Sequence, residues 1–551
     1  MVSILLKNGK NLFLRRQTSI LSAAAVIMAA YAASGFLGLI RNRFLAQHFF
    51  SGREHQLDAY FAAFVLPDSI FQLMILGALS AAFIPVFTEY LRRDRDEAWQ
   101  VASSSMTAIL LLFIVISSIL FLFAVPAARI LAPNFSPELV QLTAQLIRIM
   151  LFAQFFFALS SFLTGILQSH HHFLLPAIAP IFYNLGIIAG IILLSPLVGI
   201  YGPAIGVVIG SFLHFLIQLP FALRLGFKFQ LSTNFFHPGV KRIRKLMPAR
   251  AVTLAMSQLE RIIAVMISSS LAAGTITIFN FARQLYVLPI SLFGATIGQA
   301  SFPTLSHAHH DGQDKFVTTA AAVILQSLFF VLPAAALLLV LRIPAVRLSF
   351  GAKQFPWEAT LLTGRSVAIF AISVPAQALN QIFIRTFYAA QNTKLPLVAA
   401  GLSTGLLVVL TPTLALGLGW GILGVVGAIA IADITNMFLL IGLLERTIAS
   451  GLVKLIAAAA GKIILATLIT GTLLWTALRL FDQFVFDTTR TMPLIGLTSV
   501  VSISGIIVYL LLAKLMKIEQ LGSVARLCNR LGNWRQILSE SEEVLEPTPS
   551  Q

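Results

Sequence analysis

Apolar stretches of ~20 residues or more, parted by short polar or turn-rich breaks, recur about fourteen times along this chain. An α-helix rising ~1.5 Å per residue needs about that length to cross ~30 Å of hydrocarbon, so each stretch predicts a membrane-spanning helix. The spans are expected near 17–45, 57–88, 101–127, 137–168, 173–195, 199–224, 246–272, 275–302, 316–342, 358–391, 395–418, 420–445, 455–479 and 493–516. The expected fold class is an all-α integral membrane protein.

The second and eighth spans echo one another. Phe64-Val65-Leu66-Pro67, Gly77-Ala78 and Phe83-Ile84-Pro85 are matched by Tyr286-Val287-Leu288-Pro289, Gly294-Ala295 and Ser301-Phe302-Pro303. A shift of six helices keeps orientation, which predicts two pseudo-symmetric six-helix lobes plus two C-terminal helices. Proline and glycine inside both matching helices are expected to kink them around a central cavity. The predicted segments are an N-terminal stretch 1–16, an N-lobe 17–226 (helices 1–6), a basic interfacial connection 227–247, a C-lobe 248–448 (helices 7–12), helices 13–14 over 449–516, and a tail 517–551.

Composition fits this picture: 58% of residues are hydrophobic, 11% are charged, and the mean hydropathy is +0.89. The formal charge of +17 sits mainly in short connections and at the chain ends, which reads as topology and anionic-lipid attraction. No polar domain presents a groove for nucleic acid. The single Cys528 excludes an intramolecular disulfide. Lys7, Lys10, Arg15 and Arg16 precede an apolar run too long for a signal-peptide core, so it is read as the first helix.

Arg92, Arg93 and Arg95 lie in the second connection, and Arg224, Lys228, Lys241, Arg242, Arg244, Lys245 and Arg250 in or beside the sixth. The odd connections around 196–198, 272–275 and 418–420 carry no Lys or Arg, which predicts both termini in the cytoplasm of a multi-pass plasma (inner) membrane protein. Arg347 and Lys353, near 343–357, run against this trend. A short basic interfacial helix is expected over 234–247, before Pro248. An amphipathic surface helix is expected in the tail, with Val524, Leu527, Leu531, Trp534 and Leu538 at helical spacing, followed by an acidic end.

The run Leu57-Asp58-Ala59-Tyr60-Phe61-Ala62-Ala63-Phe64-Val65-Leu66-Pro67 resembles the second helix of the MurJ/MviN family of lipid II flippases. So do Ala82-Phe83-Ile84-Pro85, the segment Pro176 to Pro180 followed by Asn184, Lys245-Leu246-Met247-Pro248, and Phe387-Tyr388 leading to Gln391-Asn392-Thr393-Lys394 and Pro396. The resemblance covers roughly residues 17–515. It implies an exporter-type fold of the multidrug/oligosaccharidyl-lipid/polysaccharide superfamily, with helices 13 and 14 forming a groove for a polyprenyl tail. It implies alternating access that carries a lipid-linked peptidoglycan precursor from the inner to the outer leaflet for cell-wall synthesis, with other cell-wall synthesis proteins as partners.

Moving a pyrophosphate head through hydrocarbon calls for cations in a water-filled cavity, and arginine binds phosphate oxygens in pairs. Arg283 in the eighth span and Arg41 in the first stand at family arginine positions. Asp58 and Arg148 also match the family. Glu260 and Arg261 are neighbours in the seventh span, pointing ~100° apart on a helix; a glutamate here is expected to balance Arg283 or bind a coupling cation, or else to pair statically with another helix. Gln72 stands where the family usually has charge, as do Phe71 and Leu76. Gly35, Ala282 and Tyr286 likewise replace charged family residues, so the cavity is less polar than in relatives. Asp433 and Asn436, spaced i and i+3, are read as hydrogen-bonding helices together.

The histidines at 307, 309 and 310 and at 170–172 are read as solvated loop clusters, and no metal, cofactor or catalytic residue is expected. The odd connections are too short for a glycosyltransferase site, and a drug antiporter of this fold would carry acidic cavity residues. The remaining alternatives are a flippase for another lipid-linked oligosaccharide and a transport-dead cell-wall scaffold. Coupling is expected to the membrane potential or a monovalent cation, since a potential does work of ~2.3 kcal/mol per charge per 100 mV.

Overall fold

A computed structural model describes residues 20–522 except 51, 77–82, 171, 228–229, 231, 233 and 352–354; side chains are not described at 20–29, 31, 76 and 246–254. The expectations for Lys7 to Arg16, Gly77, Ala78, Ala82, Lys228, Lys353 and the tail helix lie outside the described residues. Every regular element among the described residues is helical.

The long helices are α1 (Ile20–Phe49), α2 (Glu54–Ile75), α3 (Arg95–Leu122), α4 (Pro137–Ser169), α5 (Leu174–Val198), α6 (Tyr201–Arg224) and α7 (Pro238–Ser268). They continue as α8 (Thr275–Asp311), α9 (Gln313–Val340), α10 (Trp357–Ala389), α11 (Lys394–Gly417), α12 (Ile422–Thr447), α13 (Leu452–Phe484) and α14 (Thr491–Leu515). Among the described residues, 12 of these are long and apolar enough to cross a membrane. The other two, α1 and α7, stand where the first and seventh spans are expected.

Two expectations need correction. No separate basic helix precedes Pro248, because α7 runs unbroken from Pro238 to Ser268. A proline inside a helix forfeits one backbone bond, a loss that membrane helices tolerate. The second concerns His307, His309 and His310, which lie not in a loop but in the last turns of α8. Nothing in that stretch stops the helix until Gly312, whose φ of 126 no other residue adopts readily.

Contacts divide the chain into two compact units. Among the described residues, one joins the chain up to Leu45 to His55–Gln258, and the other joins Ala46–Glu54 to the stretch from Leu259 to Gly522. In the first unit the core gathers Phe83, Phe87, Phe113 and Phe162 among the short helix Ile84–Arg93, α3 and α4; Phe83 stacks on Phe87 at 5.3 Å and meets Phe162 edge-on at 5.6 Å. Helices α5 and α6 touch backbone to backbone: a Cβ on Gly186 would lie 2.4 Å from the Gly210 Cα, and one on Gly210 would lie 2.4 Å from the Tyr183 carbonyl oxygen. Small residues permit that approach, which hydrophobicity alone does not drive in lipid. In the second unit, Ile324, Ile382, Phe383, Leu440 and Ile463 bring α9, α10, α12 and α13 into one core. The Tyr509 hydroxyl of α14 donates to the Phe329 carbonyl of α9 at 2.8 Å.

The sequence echo has structural counterparts. A π-helical turn follows the proline in α2 (Gln72–Leu76) and in α8 (Ile290–Ala295), and two more interrupt α5 (Gly190–Leu194) and α11 (Thr413–Gly417). These are the second, fifth, eighth and eleventh spans, two pairs each six helices apart.

Candidate functional site

Glu260 lies eight residues before the end of α7 at Ser268, and Arg283 eight residues after the start of α8 at Thr275. At ~1.5 Å per residue both sit ~12 Å along their helices from the intervening turn, well inside a ~30 Å hydrocarbon layer. Equal depth on consecutive helices brings them together: Arg283 Nη2 lies 3.8 Å from Glu260 Oε1, with side chains 27% and 22% exposed. That distance is an ion pair without a hydrogen bond. Among the described residues no hydrogen bond engages Arg283, so the five donors of its guanidinium remain available to a ligand. Arg261, next along α7, is half-buried.

Two further polar groups occupy the same unit deeper in its packing. The Tyr286 hydroxyl, one turn beyond Arg283, donates to Asp433 Oδ2 of α12 at 2.5 Å, and both residues are buried. Asn380 of α10 donates to the Asp433 carbonyl at 3.0 Å. Asp433 therefore ties three helices together, as expected of it, while Asn436 Oδ1 is buried without a hydrogen-bond partner. Below this level Arg385 of α10 donates to the Ala295 carbonyl at 2.6 Å, at the end of the π turn of α8.

In the first unit Gln72 is a relay rather than an isolated ligand. Its amide nitrogen donates to Asp68 Oδ2 at 2.9 Å, and its amide oxygen accepts from Gln258 Nε2 at 3.1 Å. Gln258 in turn accepts from the Ser69 hydroxyl at 3.1 Å. Arg41 donates through Nη1 to Asn184 Oδ1 of α5 at 3.1 Å and through Nε to Asn42 at 3.1 Å. Asn184 is itself fixed by donating to the Ser34 and Pro180 carbonyls. Two neutral acceptors leave the charge of Arg41 uncompensated by them, so it can still attract an anion.

Asp58 is 3% exposed and lies inside α2, a full turn past its start, while Glu54, the first helical residue, accepts from the Gly52 amide ahead of the helix at 3.0 Å. Arg148 is engaged elsewhere. It donates to the Phe121 carbonyl at 3.1 Å in the last turn of α3 and lies over the Phe121 ring at 5.5 Å. Helix C-terminal carbonyls need such donors, which makes Arg148 a fastening between α3 and α4.

The structure thus pairs Arg283 with Glu260, places Gln72 in a four-residue chain, and engages Arg148 with Phe121 of α3. Sequence reasoning passed over Asp68, Gln258 and Arg385. Asp68 and Arg385 were legible as charges at membrane depth, and the search for arginines with family counterparts missed them. Gln258 carried no such signal.

Long apolar helices with repeated π turns, gathered in two units, define a multi-pass helical membrane protein. The chain shares its fold with a multidrug resistance MATE family transporter of the MOP superfamily (TM-score 0.64, 14% identity, covering 78% of this chain and 99% of that one). It also shares it with lipid II flippase MurJ in an inward closed conformation (TM-score 0.73, 24% identity, 89% and 98% covered). A family model described as lipid II flippase MurJ matches residues 45–520, and the chain belongs to that family. Relatives include the probable lipid II flippase MurJ of Bdellovibrio bacteriovorus, 27% identical over 515 residues (92% of this chain, 97% of the relative). That of Thermotoga maritima is 28% identical over 494 residues (90% and 96%).

Proposed function

We propose that this chain flips lipid II, a polyprenyl-pyrophosphate-linked peptidoglycan precursor, from the inner to the outer leaflet of the bacterial plasma membrane by alternating access. The observation that carries the reading is Arg283: a cation at membrane depth in a family of this name, held among the described residues by one carboxylate at ion-pair distance and by no hydrogen bond. A pyrophosphate arriving at Arg283 gains two-pronged hydrogen bonds that Glu260 does not make. Glu260 then neutralises the arginine once the head group leaves, so the empty site is not an uncompensated charge in a low-dielectric setting. Arg41 supplies a second cation, and the relay of Gln72, Gln258 and Ser69, anchored on the Asp68 carboxylate, supplies donors and acceptors for sugar hydroxyls.

In this reading both termini are cytoplasmic, and the chemistry is movement without bond-breaking. An anionic head moving outward runs down an inside-negative potential, worth ~2.3 kcal/mol per charge per 100 mV; the potential, rather than a bound cation, is the simpler driving force. The test is outer-leaflet lipid II in cells depleted of their own flippase and expressing this chain, compared with Arg283→Ala and Arg41→Ala. Restored exposure that both substitutions abolish supports the proposal. A well-inserted wild type that restores nothing overturns it, and restored exposure of a different lipid-linked sugar reassigns the substrate.

A further inference from the structure

Three arginines converge where the charge rule for membrane topology expects none. In the second unit, Arg342 and Arg347 on the short helix Arg342–Phe350, and Arg479 near the end of α13, line a cavity of ≈ 280 Å³ together with Asp482, Trp357 and Trp475. The two contributing connections, α9 to α10 and α13 to α14, are separated by four spans and so open on one membrane face, the face on which the connections around 196–198, 272–275 and 418–420 carry no Lys or Arg. Charge placed there against the topological trend has a local purpose.

The three guanidinium groups are under-used. Arg342 donates to the Leu339 carbonyl at 2.8 Å, Arg347 reaches the Thr489 carbonyl at 3.5 Å, and Arg479 lies 5.7 Å from the Trp475 ring centre. Among the described residues none of the three forms an ion pair; the nearby pair is Arg490 with Asp487, at 3.9 Å. The one carboxylate in the cavity, Asp482, accepts from the Thr488 hydroxyl at 2.7 Å, and the lining keeps a surplus of two positive charges. The cavity rests on apolar side chains: Leu494 and Leu497 line it, and Leu497 joins Val340, Leu341, Leu474 and Val501 in a buried cluster. Trp357 and Trp475, 56% and 51% exposed, stand at its rim. Tryptophans of this kind mark the head-group level of a bilayer.

We infer that this cavity binds the head group of an anionic glycerophospholipid from the adjoining leaflet. The arginines hold the phosphodiester through paired donors, Asp482 accepts from a head-group hydroxyl, and the glycerol backbone lies between the two tryptophans. A phosphatidylglycerol head group supplies both features, a phosphodiester and free hydroxyls. The site lies apart from Arg283 and Glu260 in the fold, and the proposal does not depend on the identity of the transported lipid.

The test is native mass spectrometry of the purified, delipidated full chain titrated with phosphatidylglycerol, phosphatidylcholine or inorganic phosphate. The wild type is compared with the triple substitution Arg342→Gln, Arg347→Gln and Arg479→Gln, and with the triple lysine replacement. The wild type is expected to retain one phosphatidylglycerol more than the glutamine variant, with affinity at least about tenfold higher. The lysine variant, which keeps charge but loses the planar fork, is expected to fall between them. Equal retention by wild type and glutamine variant overturns the proposal, as does equal retention of phosphatidylcholine by the wild type. Displacement of phosphatidylglycerol by millimolar inorganic phosphate also overturns it, by assigning the site to a free anion. If the glutamine variant fails to fold, the lysine variant decides: affinity equal to wild type overturns the fork geometry on which the inference rests.

Discussion

Replacing Glu260 with glutamine keeps shape and removes one charge 3.8 Å from the Arg283 guanidinium. At an effective dielectric constant of ~20, two unit charges at that distance interact by ~4 kcal/mol. Both side chains are roughly a quarter exposed, so water screens part of this and about 2 kcal/mol is a fair working value. In the wild type a pyrophosphate competes with Glu260 for the arginine and is repelled by the carboxylate; in Glu260→Gln neither opposes it. Binding of a short-chain polyprenyl pyrophosphate in nanodiscs is expected to tighten about 30-fold, since 1.4 kcal/mol is a factor of ~10. Transport is expected to slow, because the carboxylate that reclaims the arginine on release is gone. The control is the double-mutant cycle with Arg283→Gln, in which the tightening should shrink to the smaller part that relief of direct repulsion supplies. Unchanged or weaker binding in Glu260→Gln, or the same tightening without Arg283, would refute the view that the two residues alternate between each other and the substrate.

Three further outcomes follow from the same geometry. Arg41→Ala should weaken binding of the same ligand about tenfold while leaving the melting temperature near wild type, whereas Arg148→Ala should lower the melting temperature and leave binding unchanged, since charge-assisted bonds contribute ~1.5–3 kcal/mol; the reverse pattern would exchange their roles. Tyr286→Phe leaves a buried carboxylate without its 2.5 Å hydroxyl donor and should cost about 1–3 kcal/mol, seen in thermal unfolding monitored by circular dichroism; an unchanged midpoint would show that Asp433 finds another donor. Gly210→Val puts a branched side chain where even a Cβ lies 2.4 Å from the Tyr183 carbonyl oxygen, and should abolish recovery of monodisperse protein in size-exclusion chromatography, while Gly401→Val, in open space on α11, should not.

The span pattern was legible because hydrocarbon imposes length and apolarity on every crossing segment. Boundaries were less so: α7 reaches back to Pro238 and α8 forward to Asp311, since charged or histidine-bearing turns continue a helix as readily as apolar ones. Among the site residues, Arg283 and Glu260 were legible as rare charges at depth, and their partnership follows from equal distance to a shared turn. Arg148 was ambiguous in sequence because a structural and a ligand-binding arginine use the same fork, and its Phe121 carbonyl partner became visible only with α3 and α4 in place. Gln72 and Gln258 carry no charge, so their relay could be seen only once α2 and α7 were placed.

The two halves share a scaffold but not a chemistry. Gly52 and Gly274, which precede α2 and α8, lie 222 residues apart with φ of 77 and 88, and Gly199 and Gly421, which precede α6 and α12, lie 222 apart with φ of 58 in both. Pro67 and Pro289 keep the same interval, and each opens the way to a π turn. Positive φ and proline are backbone requirements, and a duplicated backbone preserves them at one spacing. The charges do not follow that spacing. Arg283 falls opposite Phe61, Asp58 opposite Asn280, and Arg385 opposite Leu163. A repeat that existed to coordinate two equivalent ligands would repeat its ligating side chains with its kinks. Here the kinks recur and the charged side chains do not, so the repeat lies in the backbone and the charges belong to each half separately.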